Sequence, residues 1–73
     1  MARVTLYTRD GCAHCASQRD AIRAAGDTVS EVNLSREPQA MTELLKLTGG
    51  RRIVPVLVRA GRIVVAPDGG TEF

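Results

Sequence analysis

The chain has 73 residues, 44% of them apolar, with ten Lys and Arg against eight Asp and Glu and a formal net charge of +2. A chain this short forms a single domain, residues 1–73, and buries only about 60% of the surface its unfolded form exposes. One Tyr, one Phe, no Trp and arginines spread along the chain give no aromatic–basic stacking surface, so nucleic-acid binding is not expected.

Residues 3–8 alternate Val4, Thr5, Leu6 and Tyr7 and read as the first strand. Met1-Ala2-Arg3-Val4 passes straight into it without an apolar leader of about 7–15 residues, which points to a cytoplasmic protein. Arg9-Asp10-Gly11 is a loop that presents Cys12. A helix is expected from about Cys12 to Ala25, with Cys15, Ile22 and Ala25 on its inner stripe, Ala21 alongside, and Gly26 as its stop. Thr28 to Leu34 reads as a second strand whose imperfect alternation suits an edge. Ser35 is the expected N-cap of a second helix, with Pro38 in its first turn. Met41, Leu44, Leu45 and Thr48 form its stripe, Leu47 widens it, and Gly49-Gly50 ends it. Ile53 to Val58 is almost continuously apolar, the pattern of a strand covered on both faces. Ala60-Gly61 is a hairpin turn and Arg62 to Ala66 the returning strand. Pro67-Asp68-Gly69-Gly70 is a turn, and Thr71-Glu72-Phe73 follows it. No run of about 20 apolar residues suggests a membrane span.

The chemistry-bearing stretch is Cys12-Ala13-His14-Cys15. It follows a strand and opens a helix, the placement of a redox C-x-x-C. The first turn of a helix has unpaired N–H groups and the positive end of the dipole, and both favour a thiolate over a thiol. Positions 12 and 15 are one turn apart, so the sulfurs can close a disulfide. Cys12, at the solvent-facing end, reads as the attacking thiol and Cys15, a turn deeper, as the resolving one. A reducing cytosol favours a working dithiol over a structural disulfide. Half of a zinc site is an alternative, but a structural zinc site takes four ligands and only His14 adds a third here, so such a site would have to be shared between two chains. Buried packing cysteines are the other alternative. His14 reads as an exposed side chain that tunes the motif electrostatically rather than as a base.

The element order is β-α-β-α-β-β. The first strand–helix–strand unit is a right-handed parallel crossover, and the last two strands form an antiparallel hairpin. The result is an α/β fold: a four-stranded mixed sheet with one helix on each face, the minimal thioredoxin-like architecture. Pro55 at the head of an apolar strand removes a ladder donor. Beside an upstream C-x-x-C on this topology, it is expected as a cis-proline facing the dithiol.

Thr5-Leu6-Tyr7-Thr8, Cys12 to Cys15, Leu47-Thr48-Gly49-Gly50 to Val54-Pro55-Val56, and Gly69-Gly70 resemble the landmarks of the glutaredoxins, in the same order and over essentially the whole chain. Its shortness and the Gly49-Gly50-Arg51-Arg52-Ile53-Val54-Pro55 stretch look most like the small Uxx-star type, whose relatives include selenoproteins. The resemblance implies thiol–disulfide oxidoreductase activity with no tightly bound cofactor and no resident metal. Glutathione is the implied reductant, with a thioredoxin reductase as the alternative. The implied substrates are disulfide-bonded or glutathionylated proteins. Cys12 matches the nucleophile and Cys15 the resolving thiol. Arg9 matches a cation for a glutathione carboxylate. Val54, before Pro55, matches the residue whose backbone pairs with the tripeptide as an added strand. Gly69 and Gly70 match the glycine pair at the γ-glutamyl end. Arg52, or its neighbour Arg51, is a second candidate contact, against the alternative of a solvated pair after a helix end.

Four departures from the family pattern stand out. Ala13-His14 replaces Pro-Tyr between the cysteines, and Ile53 replaces Thr before Val-Pro. The Gly49–Val54 stretch is one residue longer. After Gly70 the polar contacts reduce to Thr71 and Glu72, and the final helix is absent. One helix covers about 10 Å of a sheet some 15–20 Å wide, so part of each apolar face is expected to stay open. A homodimer, with Phe73 docking across, would cover it. A metal or iron–sulfur module and a dedicated electron donor to one enzyme are the alternative functions.

Overall fold

The computed structural model describes residues 2–67 and 69–73; Met1, at the expected start of the chain, and Asp68, part of the expected turn, lie outside the described residues. The strands are β1 (Arg3–Thr8), β2 (Thr28–Asn33), β3 (Ile53–Val54), β4 (Val56–Arg59), β5 (Arg62–Val65) and β6 (Thr71–Glu72). The helices are α1 (Ala13–Ala24) and α2 (Met41–Thr48). A four-stranded mixed sheet runs in the order β2-β1-β4-β5. β1 is parallel to β2, and β4 is antiparallel to both β1 and β5. This is the expected thioredoxin-like arrangement, with β2 at an edge.

Helix α1 ends as its sequence dictates. Gly26 takes a positive φ of 84°. Its N–H donates to the Arg23 carbonyl, and that of Asp27 to the Ile22 carbonyl, the paired bonds of a Schellman stop. The inner stripe is Cys15, Gln18 and Ile22; Ala25, expected on it, is exposed because it already caps the helix.

The second helix starts later than expected, and Ser35 is not its cap. The Ser35 hydroxyl accepts the Asp10 N–H instead. The Arg36 and Glu37 N–H groups turn back to the Asn33 carbonyl. A 3-10 turn at Pro38–Ala40 then leads into α2.

The apolar run from Ile53 to Val58 is not one strand. It breaks at Pro55, which has no N–H to continue a ladder. Ile53 and Val54 pair with Glu72 and Thr71, whereas Val56 to Arg59 pair with β1 and β5. Thr71-Glu72, read only as a continuation after a turn, is thus a strand.

Two apolar clusters lie on opposite faces of the sheet, because side chains alternate along each strand. Val4, Leu6 and Leu57 pack with Ile22 of α1. Tyr7, Leu34, Leu44, Val54 and Val56 pack with both cysteines on the side of α2. On the edge strand β5, Ile63 and Val64 remain 47% and 40% exposed. They point to opposite faces, so both faces are open at that edge, as expected. Phe73 packs against the cysteine-bearing cluster of its own chain. No helix among the described residues is long and apolar enough to cross a membrane.

Candidate active site

Three side chains pin the loop that presents Cys12. The Asn33 side-chain amide donates to the Asp10 carboxylate at 2.9 Å, the Ser35 hydroxyl accepts the Asp10 N–H at 3.1 Å, and the Ser35 N–H donates to the Asn33 side-chain oxygen at 2.9 Å. The Leu34 N–H closes the junction on the Thr8 carbonyl at 2.8 Å. The end of β2 therefore fixes where α1 begins.

Cys12 is the N-cap of α1, with extended backbone, and its Sγ accepts the Cys15 N–H at 3.1 Å. A sulfur thus fills the place usually taken by a Ser or Asp oxygen. The first turn holds no acidic residue, so no carboxylate competes for the positive end of the helix. Cys12 and Cys15 form a disulfide, with Cα atoms 5.3 Å apart. Cys15 is 1% exposed and Cys12 9%. The order of depth is as expected, but Cys12 is largely covered rather than solvent-facing, because it belongs to the cluster against which Phe73 packs.

The residues expected around the motif converge on this end of the molecule. The Val54–Pro55 bond is cis, and Val54 and Val56 on either side of it share the cluster with both cysteines. The Arg9 guanidinium lies 4.2 Å from the centre of the Phe73 ring and that of Arg52 5.8 Å. Arg52, not Arg51, is therefore the arginine turned to this side. Thr48 sets the turn that delivers it, accepting the Arg51 N–H and donating to the Arg51 carbonyl.

The edge of β3 next to Pro55 is occupied. The Phe73 N–H donates to the Arg52 carbonyl at 3.0 Å, and Val54 stands opposite Thr71. Hydrogen-bonded pairs alternate along an antiparallel ladder, so Val54–Thr71 is the next such pair. The Val54 backbone thus faces a strand of its own chain. Gly70 permits this approach: a Cβ there would lie 2.5 Å from the Val54 carbonyl oxygen and 2.9 Å from the Ala66 Cβ. Gly69 lies under His14, since a Cβ on it would meet the imidazole at 3.5 Å.

Three polar features escaped the sequence reading: the Glu31 carboxylate, the Tyr7–Glu43 pair and buried Gln18. The Thr8 hydroxyl donates to Glu31 at 2.9 Å, and Arg19 of α1 grips the same carboxylate with two nitrogens at 2.7 and 3.0 Å. Burial works against ionisation of Glu31, but the Arg19 and Thr8 hydrogen bonds and the charges of Arg19 and Arg23 outweigh it and hold its pKa below the ordinary value. Tyr7 donates to Glu43 of α2 at 3.0 Å. Burial first, then that carboxylate, pushes its pKa up. Gln18 is a buried polar residue of α1. Its spacing from Cys15 and Ile22 marked the inner stripe, but its polarity hid it. Glu31 and Arg19 carried no signal, because only the β1–β2 crossover brings them together.

An open polar groove of about 670 Å³ lies beside β2, lined among others by Arg19, Arg23, Glu31 and Arg36. None of its lining residues belongs to the cysteine cluster. Among the described residues no three His, Cys, Asp or Glu side chains are grouped to hold a metal ion. Neither this arrangement nor the relatives below support a metal or iron–sulfur module.

Comparison with known proteins gives a consistent result. The glutaredoxin family pattern matches residues 4–64. A glutaredoxin of Neisseria meningitidis serogroup B is 30% identical over 59 residues, covering 80% of this chain and 69% of the relative. One of serogroup A is 29% identical over the same shares. No solved structure matches.

Proposed function

The chain belongs to the glutaredoxin family, and from that premise we propose that it is a thiol–disulfide oxidoreductase working through Cys12 and Cys15. The observation that carries the reading is the Cys12 sulfur acting as helix cap, taking the Cys15 N–H at 3.1 Å. In the reduced protein the same N–H and the helix dipole would hold Cys12 as thiolate. The thiolate attacks one sulfur of a substrate disulfide, forming a mixed disulfide and releasing the other half as thiolate. Cys15 then attacks Cys12 Sγ, releases the second thiolate and closes the Cys12–Cys15 bond. Two electrons pass from the dithiol to the substrate.

Glutathione is the proposed reductant. One glutathione thiolate opens the bond at Cys12 and frees Cys15, and a second removes the first as glutathione disulfide. Arg9 and Arg52 are proposed to meet its carboxylate, Val54 its backbone, and Gly69, Gly70 and His14 its γ-glutamyl end, with Pro55 shaping the groove. A glutathionylated protein could be resolved through Cys12 alone. A working dithiol also supports a cytoplasmic site of action. The Gly49–Pro55 stretch supports a place among the Uxx-star type. The polypeptide partners are proposed to be disulfide-bonded or glutathionylated proteins, and the open edge at Ile63 and Val64 would suit self-association into a homodimer.

The test incubates the oxidised protein with glutathione alone, and separately with a thioredoxin reductase system, and counts free thiols. Two thiols per chain with glutathione alone is the expected result. Reduction by the reductase only would make the protein a thioredoxin-like donor, and reduction by neither would refute the proposal.

A further inference from the structure

We propose that the Thr71-Glu72-Phe73 segment is an intramolecular competitor for the thiol peptide, docked where that peptide must bind. The inference rests on the glutathione reading above and adds a regulation to it. A tripeptide reaching the disulfide beside Pro55 needs a free backbone edge on β3 and cations for its carboxylate. The structure gives both to the chain's own residues. Thr71 pairs with Val54 and Glu72 with Ile53, and the Phe73 N–H closes on the Arg52 carbonyl. The Phe73 ring takes up both guanidiniums, Arg9 at 4.2 Å and Arg52 at 5.8 Å. An extended segment therefore runs from the glycine pair, past Val54, to the two arginines. It makes the strand-addition contacts that an external peptide would make.

The coverage of Cys12 fits the same picture. Cys12 is only 9% exposed although it caps a helix end, and Phe73 packs on the cluster that contains it. The docked segment is only two paired residues long and is held in part by contacts of one ring. Such an element opens at low free-energy cost. Binding of the peptide then takes only the open fraction of molecules, and its apparent affinity is reduced by that fraction.

Phe73→Ala removes both ring–cation contacts while leaving the cysteines, Val54 and both arginines in place. Two exposed contacts of this kind shift the docked-to-open balance by about five- to thirtyfold. The rate at which glutathione reduces the Cys12–Cys15 bond should rise by up to that factor. Dithiothreitol, a small thiol without a peptide backbone, should reduce both proteins alike. Hydrogen exchange at the Val54 amide supplies a readout apart from activity: protected in the parent, fast in Phe73→Ala, and protected again on adding S-methylglutathione. Thr71→Pro, which deletes the N–H facing Val54, is the second variant and should act in the same direction.

Equal glutathione rates in parent and variants would overturn the proposal. So would a slower variant, which would make Phe73 a support for the arginines. If dithiothreitol reduces every form and glutathione none, the glutathione reading itself fails and the competition falls with it.

Discussion

On one face of the sheet Val4, Leu6 and Leu57 meet Ile22 of α1. On the other, Tyr7 and Val56 meet Leu44 of α2, and the same cluster takes in Leu34, Val54 and both cysteines. The first cluster is aliphatic throughout and its members come from the helix and the two central strands. The second draws on β1, the loop before α1, α1 itself, the end of β2, α2 and both sides of Pro55. A core assembled from so many segments can set a sulfur, a helix terminus and a strand edge beside a proline side by side. A core of two strands and one helix can only hold its helix down. The reactive group sits in the cluster that pools the most distant parts of the chain.

The largest expected effect lies wholly in the second cluster. Cys12→Ser should abolish disulfide exchange, and Cys15→Ser should keep only the route through a single thiol. Turnover of a protein disulfide and of a glutathionylated peptide separates the two. Full activity in Cys12→Ser would break the assignment of roles.

A matched pair tests the contrast directly. Leu6 and Leu44 are both fully buried, one in each cluster. Truncation of either to Ala should cost about 2–5 kcal/mol of stability, measured by denaturant unfolding. Only Leu44→Ala should alter the alkylation rate of reduced Cys12 under conditions where both variants stay folded. Equal changes in the two would erase the distinction.

Gly70→Ala is expected to be milder, about 1–3 kcal/mol, because its Cβ would strike the Val54 carbonyl and push β6 away from β3. Loss of protection at Val54 and Thr71 amides, with the four-stranded sheet still protected, would localise the damage to the second cluster's rim.

The smallest effect belongs to Glu31, which ties β2 to Thr8 and to Arg19. Glu31→Gln should cost about 1 kcal/mol or less at neutral pH, since the pair is partly exposed. Its folded pKa is lowered, so its stabilisation is complete above the unfolded carboxylate value and disappears as pH falls through the lower folded value. Parent and variant stabilities should therefore converge in acid. A gap that persists there would mean that Glu31 acts through packing and not through charge.

Much of this molecule was legible residue by residue. Val4 to Tyr7 alternate, Gly26 stops a helix, and Cys12 and Cys15 stand one turn apart behind a strand, so periodicity and local turn chemistry were enough. Ser35 and the 53–58 run misled for a shared reason. A Ser before a helical pattern and an unbroken apolar run have local meanings, and here a distant partner outbid each of them: the Asp10 N–H for Ser35, and two different sheets for the halves around Pro55. Thr71-Glu72 is too short to show any alternation.

The sequence by itself determined the succession of the two helices and the four main-sheet strands, the pairing-competent cysteines at a helix start and the proline opposite them, because each depends on neighbours within a few residues. Only the tertiary structure decided what lies over that motif. The joint hold of Arg9 and Arg52 on Phe73 and the closure of the β3 edge by Thr71 both join segments far apart in the chain. Those contacts exist because the crossover and the break at Pro55 bring the ends of five elements to one side of a small sheet, a geometry that no local pattern encodes.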